Sequence, residues 1–575
     1  MPEKNENMSS KKDSGQRNQK KTQFSGWRSV LWPIHGYETK KILPMFFMFF
    51  LLQFNYNLLK PMKDTIVQNS PGLLASESKH ILSFMKVCAI LPIVLIFMSI
   101  LTKLTHRYST QQVFKYLLTF FTSFFLIYCF ILEPNIETLQ NASLATTVTE
   151  NLTFLPTGAK WVLYIFQNWT ATLFYCFAEL WGVMVIAVCF WGFANEITDV
   201  NQAKRIYPLF CLGANSSGIF SGATGVFIDS ISVHTSKIMH TVVSYSPKFV
   251  QSVLPTYDDE FSKWSAKLTL ITILFLCINI VVYLIFKYVE KNVLTDLDQL
   301  PKSFEETKAY KKSNKEKYSM SQSLSRVSNS KYLLSVAAIV FSFAFINNIV
   351  ELLWKSQAKM YYTDKTELSN YYSSIIAVIG ILSTLSALLV SGNVIRFLGW
   401  HTGAIITPII MCVSTLLFFA MMIFPDQTTF ISAWFGYTPL AMIVALGGIQ
   451  NCLSRAAKYT LFDTTKELTL LPLKNESKRE GKAVVDGIIS RFGKSSGSTM
   501  YIFSLLLFEN MMISVLFGVA LCVFVIWTRS IEHINSKIST IYNKYENKEY
   551  LTFNEVDQIP TKSIFKRSPN NTNPS

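Results

Sequence analysis

The sequence predicts an all-α polytopic membrane protein, major-facilitator-like in having two six-helix halves. Of its 575 residues, 50% are hydrophobic and only 16% are charged. Soluble domains carry about 25% charged residues, so this composition favours a chain that lies mostly in a bilayer. The net charge of +16 does not indicate a nucleic-acid-binding protein, because the surplus Lys and Arg lie largely in the tails, a central loop and one later stretch. A basic cytoplasmic face explains this distribution more simply.

Twelve runs are long and apolar enough to be membrane helices, since a crossing needs about 20 mainly apolar residues. They cover residues 42–60, 81–102, 112–132, 159–195, 206–228, 267–287, 332–355, 371–391, 402–424, 431–454, 483–508 and 511–529. The fourth run is too long for one simple crossing and too short for two with a turn. We predict that it forms one long helix that extends past the membrane surface, which keeps the number of crossings even.

Polar segments divide the chain into five parts. They are a basic tail (1–41), a first six-helix bundle (42–287), a polar linker (288–331), a second six-helix bundle (332–529) and a second tail (530–575). An even number of crossings places both termini on one side, and the Lys-rich linker and tails predict that this side is cytoplasmic. The polar start of the chain excludes a conventional cleaved signal peptide.

Two short sequence similarities between the halves indicate that they are parallel repeats. Asn57-Leu-Leu-Lys60 in helix 1 is similar to Glu351-Leu-Leu-Trp-Lys355 in helix 7, and Ser216-Ser-Gly218 in helix 5 is similar to Ser495-Ser-Gly497 in helix 11. In transporters built from such repeats, the substrate binds between the halves near the middle of the membrane.

The sequence indicates neither a metal site nor a catalytic site. The nine cysteines mostly stand singly inside apolar runs, without CxxC spacing. The segment from Gly487 to Ser495 resembles a Walker A motif, but five residues instead of four precede its Gly-Lys-Ser, and it runs into a membrane helix. We therefore expect no metal, no cofactor and no enzymatic activity. A membrane-bound nucleotide-hydrolysing enzyme is the alternative from another class.

Helix 1 carries a polar stripe. At 100° per residue, Gln53, Asn57, Lys60 and Lys63 fall on one arc, and Pro61 predicts a kink or unwinding beside them. A charge at the bilayer centre costs about 2.5 to 3.5 kcal/mol, so membrane lysines favour an anionic partner or a water-filled cavity. The alternative is that both lysines extend to the membrane interface.

Helices 4 and 7 contain carboxylates inside or beside apolar runs. In helix 7, Glu351 stands four residues before Lys355, the favourable order for an ion pair. This pair is either a structural bridge or one that opens when substrate or a proton arrives. In the fourth run, Glu179 lies inside the helix and Glu196 at its edge. Glu196 is either a gate carboxylate or an ordinary surface residue, and periodicity does not decide between them.

A basic stretch, Ala456 to Ser498, separates two apolar runs in the second half. If the tenth helix continues past Leu453, then Arg455, Lys458 and Lys466 fall within about 80° of one another, with Asp463 alongside. Three cations on one wall suit a polyphosphate. The alternative is a solvated cytoplasmic loop that sets the topology.

Four separated motifs resemble those of the nucleotide transporters, or ATP/ADP translocases, of plastids and of energy-parasitic bacteria and microsporidia. In order, they are NYNLLKPMKDTIV, FWGFANEIT with AKRIYPLFCLGAN, IVELLWKSQAK, and AKYTLFDTTKEL with GKAVVDGIISRFGKSSG. The similarity spans most of the chain, from about Lys40 to Trp527. It implies a major-facilitator-like architecture and either exchange of ATP for ADP or import of nucleotides with protons.

Matched position by position, the resemblance implies functional roles for Lys63, Glu196, Glu351 and Lys466, with Lys355 and Lys458 as phosphate neighbours. The predicted substrate-binding residues are therefore Lys63, Lys355, Lys458 and Lys466, and the predicted gating or coupling residues are Glu196, Glu351 and Asp463. Pro61-Met62 and Lys474 depart from the family pattern, which leaves exchange or net import open.

We predict an alternating-access carrier that imports ATP in exchange for ADP, with the polyphosphate bridging cations of the two halves. The alternative is a proton-coupled importer of nucleotides or another organic anion, with Glu196 or Glu351 as the proton site. Expected partners are ATP, ADP and the lipid bilayer, not nucleic acid, and we expect a monomer. The resemblance implies a parasite plasma membrane as the location, with an organelle membrane as the alternative.

Overall fold

The computed structural model describes residues 34–70, 78–139, 157–198, 200–244, 259–293, 329–389, 391–474, 477, 481–547 and 550–560. Most of the predicted tail 1–41 and linker 288–331 lies outside these residues, as does 561–575 of the second tail. Nearly all described residues belong to helices, and the β structure among them is one isolated bridge between Leu473 and Leu551.

Six long helices form each half. In the first half they are α1 (Thr39–Gln68), α2 (81–107), α3 (Thr110–Leu132), α4 (Trp169–Ile197), α5 (Val200–Ser244) and α6 (Asp259–Asn292). In the second half they are α7 (Lys331–Tyr361), α8 (Lys365–Leu389), α9 (Ser391–Ile423), α10 (Pro439–Leu470), α11 (483–507) and α12 (Met512–Glu546). Helix α9 is kinked at Gly399, whose φ of 81° is not helical.

The all-α polytopic architecture is confirmed, but twelve crossings are not. Among the described residues, ten helices are long and apolar enough to span a membrane, and α5 and α11 are not among them. Both contain polar runs, such as Ser216-Ser-Gly218 in α5 and Lys494-Ser-Ser in α11. These serine-containing runs are the ones that are similar in sequence between the two halves.

The prediction of a single long fourth helix is wrong. A separate helix, Thr157–Gln167, ends before Asn168, and α4 begins at Trp169. The Asn168 side chain donates to the carbonyl oxygen of Tyr164 at 3.1 Å, and the Thr172 hydroxyl donates to the carbonyl oxygen of Ile165 at 2.8 Å. Side chains of this kind offer the backbone partners outside the helical ladder and so end the first helix.

Helix α1 does not unwind at Pro61, contrary to one of the two outcomes that the sequence predicted there. The helix runs from Thr39 to Gln68 with Pro61 inside it. Membrane helices tolerate proline where neighbouring helices and polar side chains satisfy the freed backbone groups.

The two halves use the same polar contact at corresponding places, as parallel repeats require. The Asn57 amide donates to the Ser217 hydroxyl at 3.2 Å, which joins α1 to α5. The Asn348 amide donates to the Ser498 hydroxyl at 2.8 Å, which joins α7 to α11. A glycine lies beside each asparagine, Gly218 in α5 and Gly497 in α11, and allows the helices to approach.

The halves are held together from the middle of the bundle to one end, which we call the distal end. The first and last described residues, Ile34 and Pro560, lie toward the other end, which we call the proximal end. Between described residues, the hydrogen bonds that cross from one half to the other include Gln68 Nε2 to the Lys355 carbonyl oxygen at 3.1 Å and Lys359 Nζ to Asn69 Oδ1 at 2.5 Å. The Tyr372 hydroxyl also donates to Gln68 Oε1, at 2.8 Å.

At the proximal end, the polar contacts among described residues stay within one half. Arg205 Nη2 of α5 contacts Glu38 Oε1, just before α1, at 2.7 Å. Burial alone would raise the pKa of Glu38, but hydrogen bonds from Arg205 and Gln202 outweigh it and lower that pKa. In the second half, the Tyr332 hydroxyl of α7 donates to the carbonyl oxygen of Thr469 in α10 at 2.8 Å.

Candidate functional site

A continuous chain of ion pairs begins in α4 and crosses from the first half to the second. Lys63 Nζ of α1 contacts Glu179 Oε1 of α4 at 2.8 Å and Asp64 Oδ1 at 3.1 Å. The other oxygen of Asp64 accepts a hydrogen bond from Lys355 Nζ of α7 at 2.8 Å. The Asp64–Lys355 pair therefore joins the two halves directly.

The chain continues along α7 to α10. Lys355 Nζ lies 2.6 Å from Glu351 Oε1, so the predicted ion pair between these residues is present. The second oxygen of Glu351 lies 3.1 Å from Arg455 Nη2, and Arg455 Nε donates to Asn451 Oδ1 at 2.7 Å. We call the six residues Glu179, Lys63, Asp64, Lys355, Glu351 and Arg455 the charge chain.

The repeat explains why the charge chain passes from one half to the other. The hydrogen bonds to Ser217 and Ser498 make Asn57 equivalent to Asn348, three residues before the Glu351 with which the sequence similarity aligned it. Counted from these asparagines, Asp64 of α1 and Lys355 of α7 occupy the same position. Helices 1 and 7 therefore bring opposite charges from equivalent positions against each other. A buried charge without a partner is costly, and here the anion of the first half and the cation of the second half are partners.

The charge chain is buried at its centre and reaches water at its ends. The side chains of Lys63 and Asp64 are 4% and 5% exposed, whereas those of Glu179 and Arg455 are 29% and 24% exposed. Glu179 lies between the fully buried residues Ala178 and Leu180 in the middle of α4. Partly exposed charges at this depth indicate a water-accessible cavity between the halves.

Three further cations surround the charge chain, and no carboxylate of the described residues lies within ion-pair distance of any of them. Lys60 Nζ donates to Asn57 Oδ1 at 2.9 Å, and Lys86 Nζ of α2 donates to Asn348 Oδ1 at 2.7 Å. Lys494 of α11 has an exposed side chain and lies within the electrostatic influence of Glu179 and Glu351.

Together these side chains have a formal surplus of three positive charges. The cations are Lys60, Lys63, Lys86, Lys355, Arg455 and Lys494, and the carboxylates are Asp64, Glu179 and Glu351. Such a cluster can hold an anion of several charges and is too cationic to suit a neutral or cationic solute.

The other predicted binding residues form a separate cluster toward the proximal end. Lys458 Nζ contacts Asp463 Oδ2 at 3.2 Å, and Lys466 Nζ contacts Asp486 Oδ1 of α11 at 2.6 Å and Asp463 Oδ1 at 3.6 Å. Lys466 lies roughly 16 Å along α10 from Arg455, so the predicted three-cation wall divides between two clusters.

Glu196 belongs to neither cluster. It lies in the last turn of α4, next to Ile197, where that helix ends. Glu179 stands seventeen positions earlier, roughly 25 Å away along the helix. The structure therefore brings together Lys63, Glu351 and Lys355, but not Glu196.

Sequence reasoning missed Asp64, Lys86 and Lys494 as candidates and noted Glu179 without assigning it to the site. Asp64 stands directly after Lys63 in the MKDT run, and this adjacency was an available signal. Lys86, Lys458 and Asp486 lie in π-helical turns, Met85–Ile90, Lys458–Phe462 and Ala483–Ile489. Such turns are frequent at functional sites, but no local sequence signature identifies them.

The described residues contain no group of three or more His, Cys, Asp or Glu side chains placed to hold a metal ion. Gly493-Lys494-Ser495 lies in helix α11 and forms no phosphate-binding loop.

An all-α polytopic protein whose two halves share a buried chain of charges, with a cationic surplus beside a water-accessible cavity, is a membrane transporter of an anionic solute. The chain belongs to the TLC ATP/ADP transporter family, whose model matches residues 17–538. This is a family of transporters and not of enzymes.

Several ADP,ATP carrier proteins of Chlamydia and Rickettsia are similar to this chain over most of their length. It is 37% identical over 477 residues to ADP,ATP carrier protein 1 of Chlamydia pneumoniae. That alignment covers 83% of this chain and 86% of the other protein. It is 32% identical over 481 residues to ADP,ATP carrier protein 3 of Rickettsia bellii, with coverage of 83% and 90%.

Among solved structures, a bacterial homologue of the iron transporter ferroportin in an inward-facing state aligns with a TM-score of 0.47 and 13% sequence identity. That alignment covers 86% of this chain and 98% of the other. A D-xylose–proton symporter aligns with a TM-score of 0.47 and 11% identity, covering 86% and 99%.

Proposed function

We propose that this chain carries ATP and ADP across a membrane in exchange for each other by alternating access. The observation that supports this most strongly is the cationic surplus of three on side chains drawn from both halves. A nucleoside di- or triphosphate carries a comparable negative charge. The names of the relatives, ADP,ATP carrier proteins, point to the same pair of solutes.

In the proposed cycle, phosphate oxygens compete with the carboxylates of the charge chain for the same cations. Lys63 and Lys355 are the central pair, because Asp64 lies between them and contacts both. Arg455 offers a planar guanidinium that can bind two phosphate oxygens, while Lys60 and Lys494 supply mobile point charges from opposite halves. Lys458 and Lys466, with Asp463, would receive the nucleotide at the proximal end of the path.

The same arrangement accounts for exchange instead of one-way release. A conformational change that separates the halves must break the Asp64–Lys355 contact, which leaves Asp64 paired with Lys63 alone and takes from Lys355 one of its two carboxylates. Breaking a buried pair is costly unless a new partner arrives, so the return step is slow without a nucleotide. Bound phosphate replaces the lost contact for Lys355, and the carrier can then reorient.

We further propose that one chain is the working unit, since its own two halves supply every residue of the charge chain. The basic segments around the helices support cytoplasmic termini, which would direct the proximal end to the cytoplasm and the distal end to the outside. The resemblance to carriers of intracellular parasites favours the plasma membrane as the location.

The direct test uses the purified full-length protein in liposomes, with labelled ATP outside and ADP, AMP or no nucleotide inside. We expect fast uptake only into vesicles that contain ADP, with no effect of a protonophore. Protein-free vesicles and vesicles that contain the Lys63→Gln variant are the controls.

Two results would contradict the proposal. Uptake that is equally fast without internal nucleotide would exclude obligatory exchange. Uptake that follows an imposed pH gradient and is abolished by the protonophore would favour the proton-coupled alternative.

A further inference from the structure

A second charged cluster lies at the distal end, apart from the charge chain. Lys267 Nζ of α6 donates to Asn370 Oδ1 of α8 at 2.7 Å, and Asn370 Nδ2 donates to Asp229 Oδ2 of α5 at 2.6 Å. Lys267 Nζ also lies 3.5 Å from Asp229 Oδ1, which closes a triangle. Lys263 contributes a more distant contact to Asp229, at 3.6 Å.

The cluster joins the two halves through a neutral residue. Asp229 and Lys267 belong to the first half, whereas Asn370 belongs to the second. The side chain of Lys267 is fully buried and that of Asp229 is 13% exposed. The Asn370 amide is suited to this place, because its oxygen accepts from the cation and its nitrogen donates to the anion.

Helices α5 and α8 approach each other unusually closely beside this cluster. A Cβ atom on Gly222 would lie 2.5 Å from the Ala377 nitrogen, and one on Gly225 would lie 3.0 Å from Ser373 Cβ. At Gly222 only a residue without a side chain allows this contact, because the nearest atoms belong to the backbone, whereas at Gly225 the neighbouring atoms belong to the Ser373 side chain and a small shift makes room. The packing brings Asn370, one turn from Ser373, against Asp229, one turn from Gly225.

The two halves can separate at this cluster without leaving a buried charge unpaired. If the halves separate here, Asn370 leaves, but Lys267 and Asp229 remain paired inside the first half. The charge chain differs, because its cross-half contact, Asp64–Lys355, is itself an ion pair. A contact through a neutral amide can therefore release and re-form repeatedly without a ligand to replace it.

We propose that Asp229, Lys267 and Asn370 form a distal lock, which closes the bundle at this end and must open once in every transport cycle. The proposal rests on transport by alternating access, the proposed function, and adds the residues that close one gate. When this end opens, Asn370 of the second half moves away from the Asp229–Lys267 pair of the first half, and it binds that pair again when the end closes.

A reversible cross-link tests whether this end must open. The paired substitution Gly225→Cys and Ser373→Cys places two thiols at the α5–α8 contact, where the present separation is short enough for a disulfide after small adjustment. We expect oxidation of the double variant to abolish nucleotide uptake and a reductant to restore it. The Ser373→Cys single variant, treated with the same oxidant, controls for the nine native cysteines. Wild-type uptake by the cross-linked protein would overturn the proposal.

A second measurement tests the role of Asn370 independently of transport. In the double-cysteine protein, Asn370→Leu should slow disulfide formation several-fold, because the lock holds the two thiols together. Ser374→Leu introduces the same side chain at an exposed position one turn away and should leave the rate unchanged. Equal rates in the two variants would overturn the lock. This rate does not depend on the solute, so failure of the proposed exchange leaves the test valid.

Discussion

Lys63 is the residue on which the candidate site most depends. Its Nζ atom contacts Glu179 and Asp64 and lies 3.9 Å from the centroid of the Tyr175 ring. It does not extend to a membrane interface, since its side chain is almost fully buried between α1 and α4. One cation therefore contacts two carboxylates and also stands next to the pair that joins the halves.

Replacing Lys63 by Gln should lower nucleotide exchange at least about tenfold, which corresponds to about 1.4 kcal/mol. The substitution removes a proposed phosphate ligand and takes away the cation that Asp64 and Glu179 share, so both carboxylates would repel an anionic substrate more strongly. Initial uptake into ADP-loaded vesicles measures the effect. Lys474→Gln, at a half-exposed lysine that contacts Glu555 far from the charge chain, is the matched control. Equal rates in both variants, at equal amounts of folded protein, would remove Lys63 from the site.

At this scale the sequence could predict some partners and not others. The Glu351–Lys355 pair is local, so helical periodicity was sufficient to predict it. The Asp64–Lys355 pair joins two distant helices, and periodicity gives the face of each helix but not what that face meets. The same limitation left Lys494 assigned only to a helix and left Glu196 undecided between two roles.

Among the elements, the segment after α12 has a definite place that composition did not indicate. Its short helix, Phe553–Asp557, begins with a capping box formed by Thr552 and Glu555. The segment docks at the proximal end of the second half, where Asp557 Oδ1 accepts from the Tyr332 nitrogen at 2.9 Å. Lys537 Nζ of α12 donates to the Asp557 carbonyl oxygen at 3.1 Å, and Val556 is fully buried. The segment thus ties the start of α7 to α12.

Substituting Val556 by Asp should destabilise this docking and lower the melting temperature of the purified protein. Burying a charge without a partner costs about 2 kcal/mol or more. Asn554→Asp introduces the same charge at an exposed position of the same helix and is the matched control. Thermal melting in one detergent compares the two variants. Identical melting temperatures would show that the segment contributes nothing to stability.

The elements also show where span prediction succeeded and where it failed. Apolar runs predicted the ten helices that qualify as crossings, because burial in lipid requires an apolar surface. Helices α5 and α11 fall short by that measure, since each directs a polar face toward a neighbouring helix through Ser217 or Ser498. The break at Asn168 depends on side-chain hydrogen bonds to the backbone, which hydropathy does not register.

At the scale of the whole molecule, the polar contacts between the halves are distributed unevenly. Those between described residues lie from the middle of the bundle to the distal end, where they include the charge chain and the distal lock. The proximal contacts remain within each half. Two halves that are joined at the distal end can separate there and meet at the proximal end instead. Alternating access requires a change of this kind. The two repeats were visible in the sequence, but this asymmetry was not.

The central claim is that the cations between the halves bind the polyphosphate of a nucleotide, and competition in the exchange assay tests it most directly. Labelled ATP uptake into ADP-loaded vesicles would be measured against unlabelled ATP, ADP, AMP, adenosine, tripolyphosphate and succinate. We predict that inhibition strengthens with the number of phosphates, that high salt weakens it, and that adenosine and succinate do not compete. Equal inhibition by adenosine and ADP, or strong inhibition by succinate, would contradict the claim.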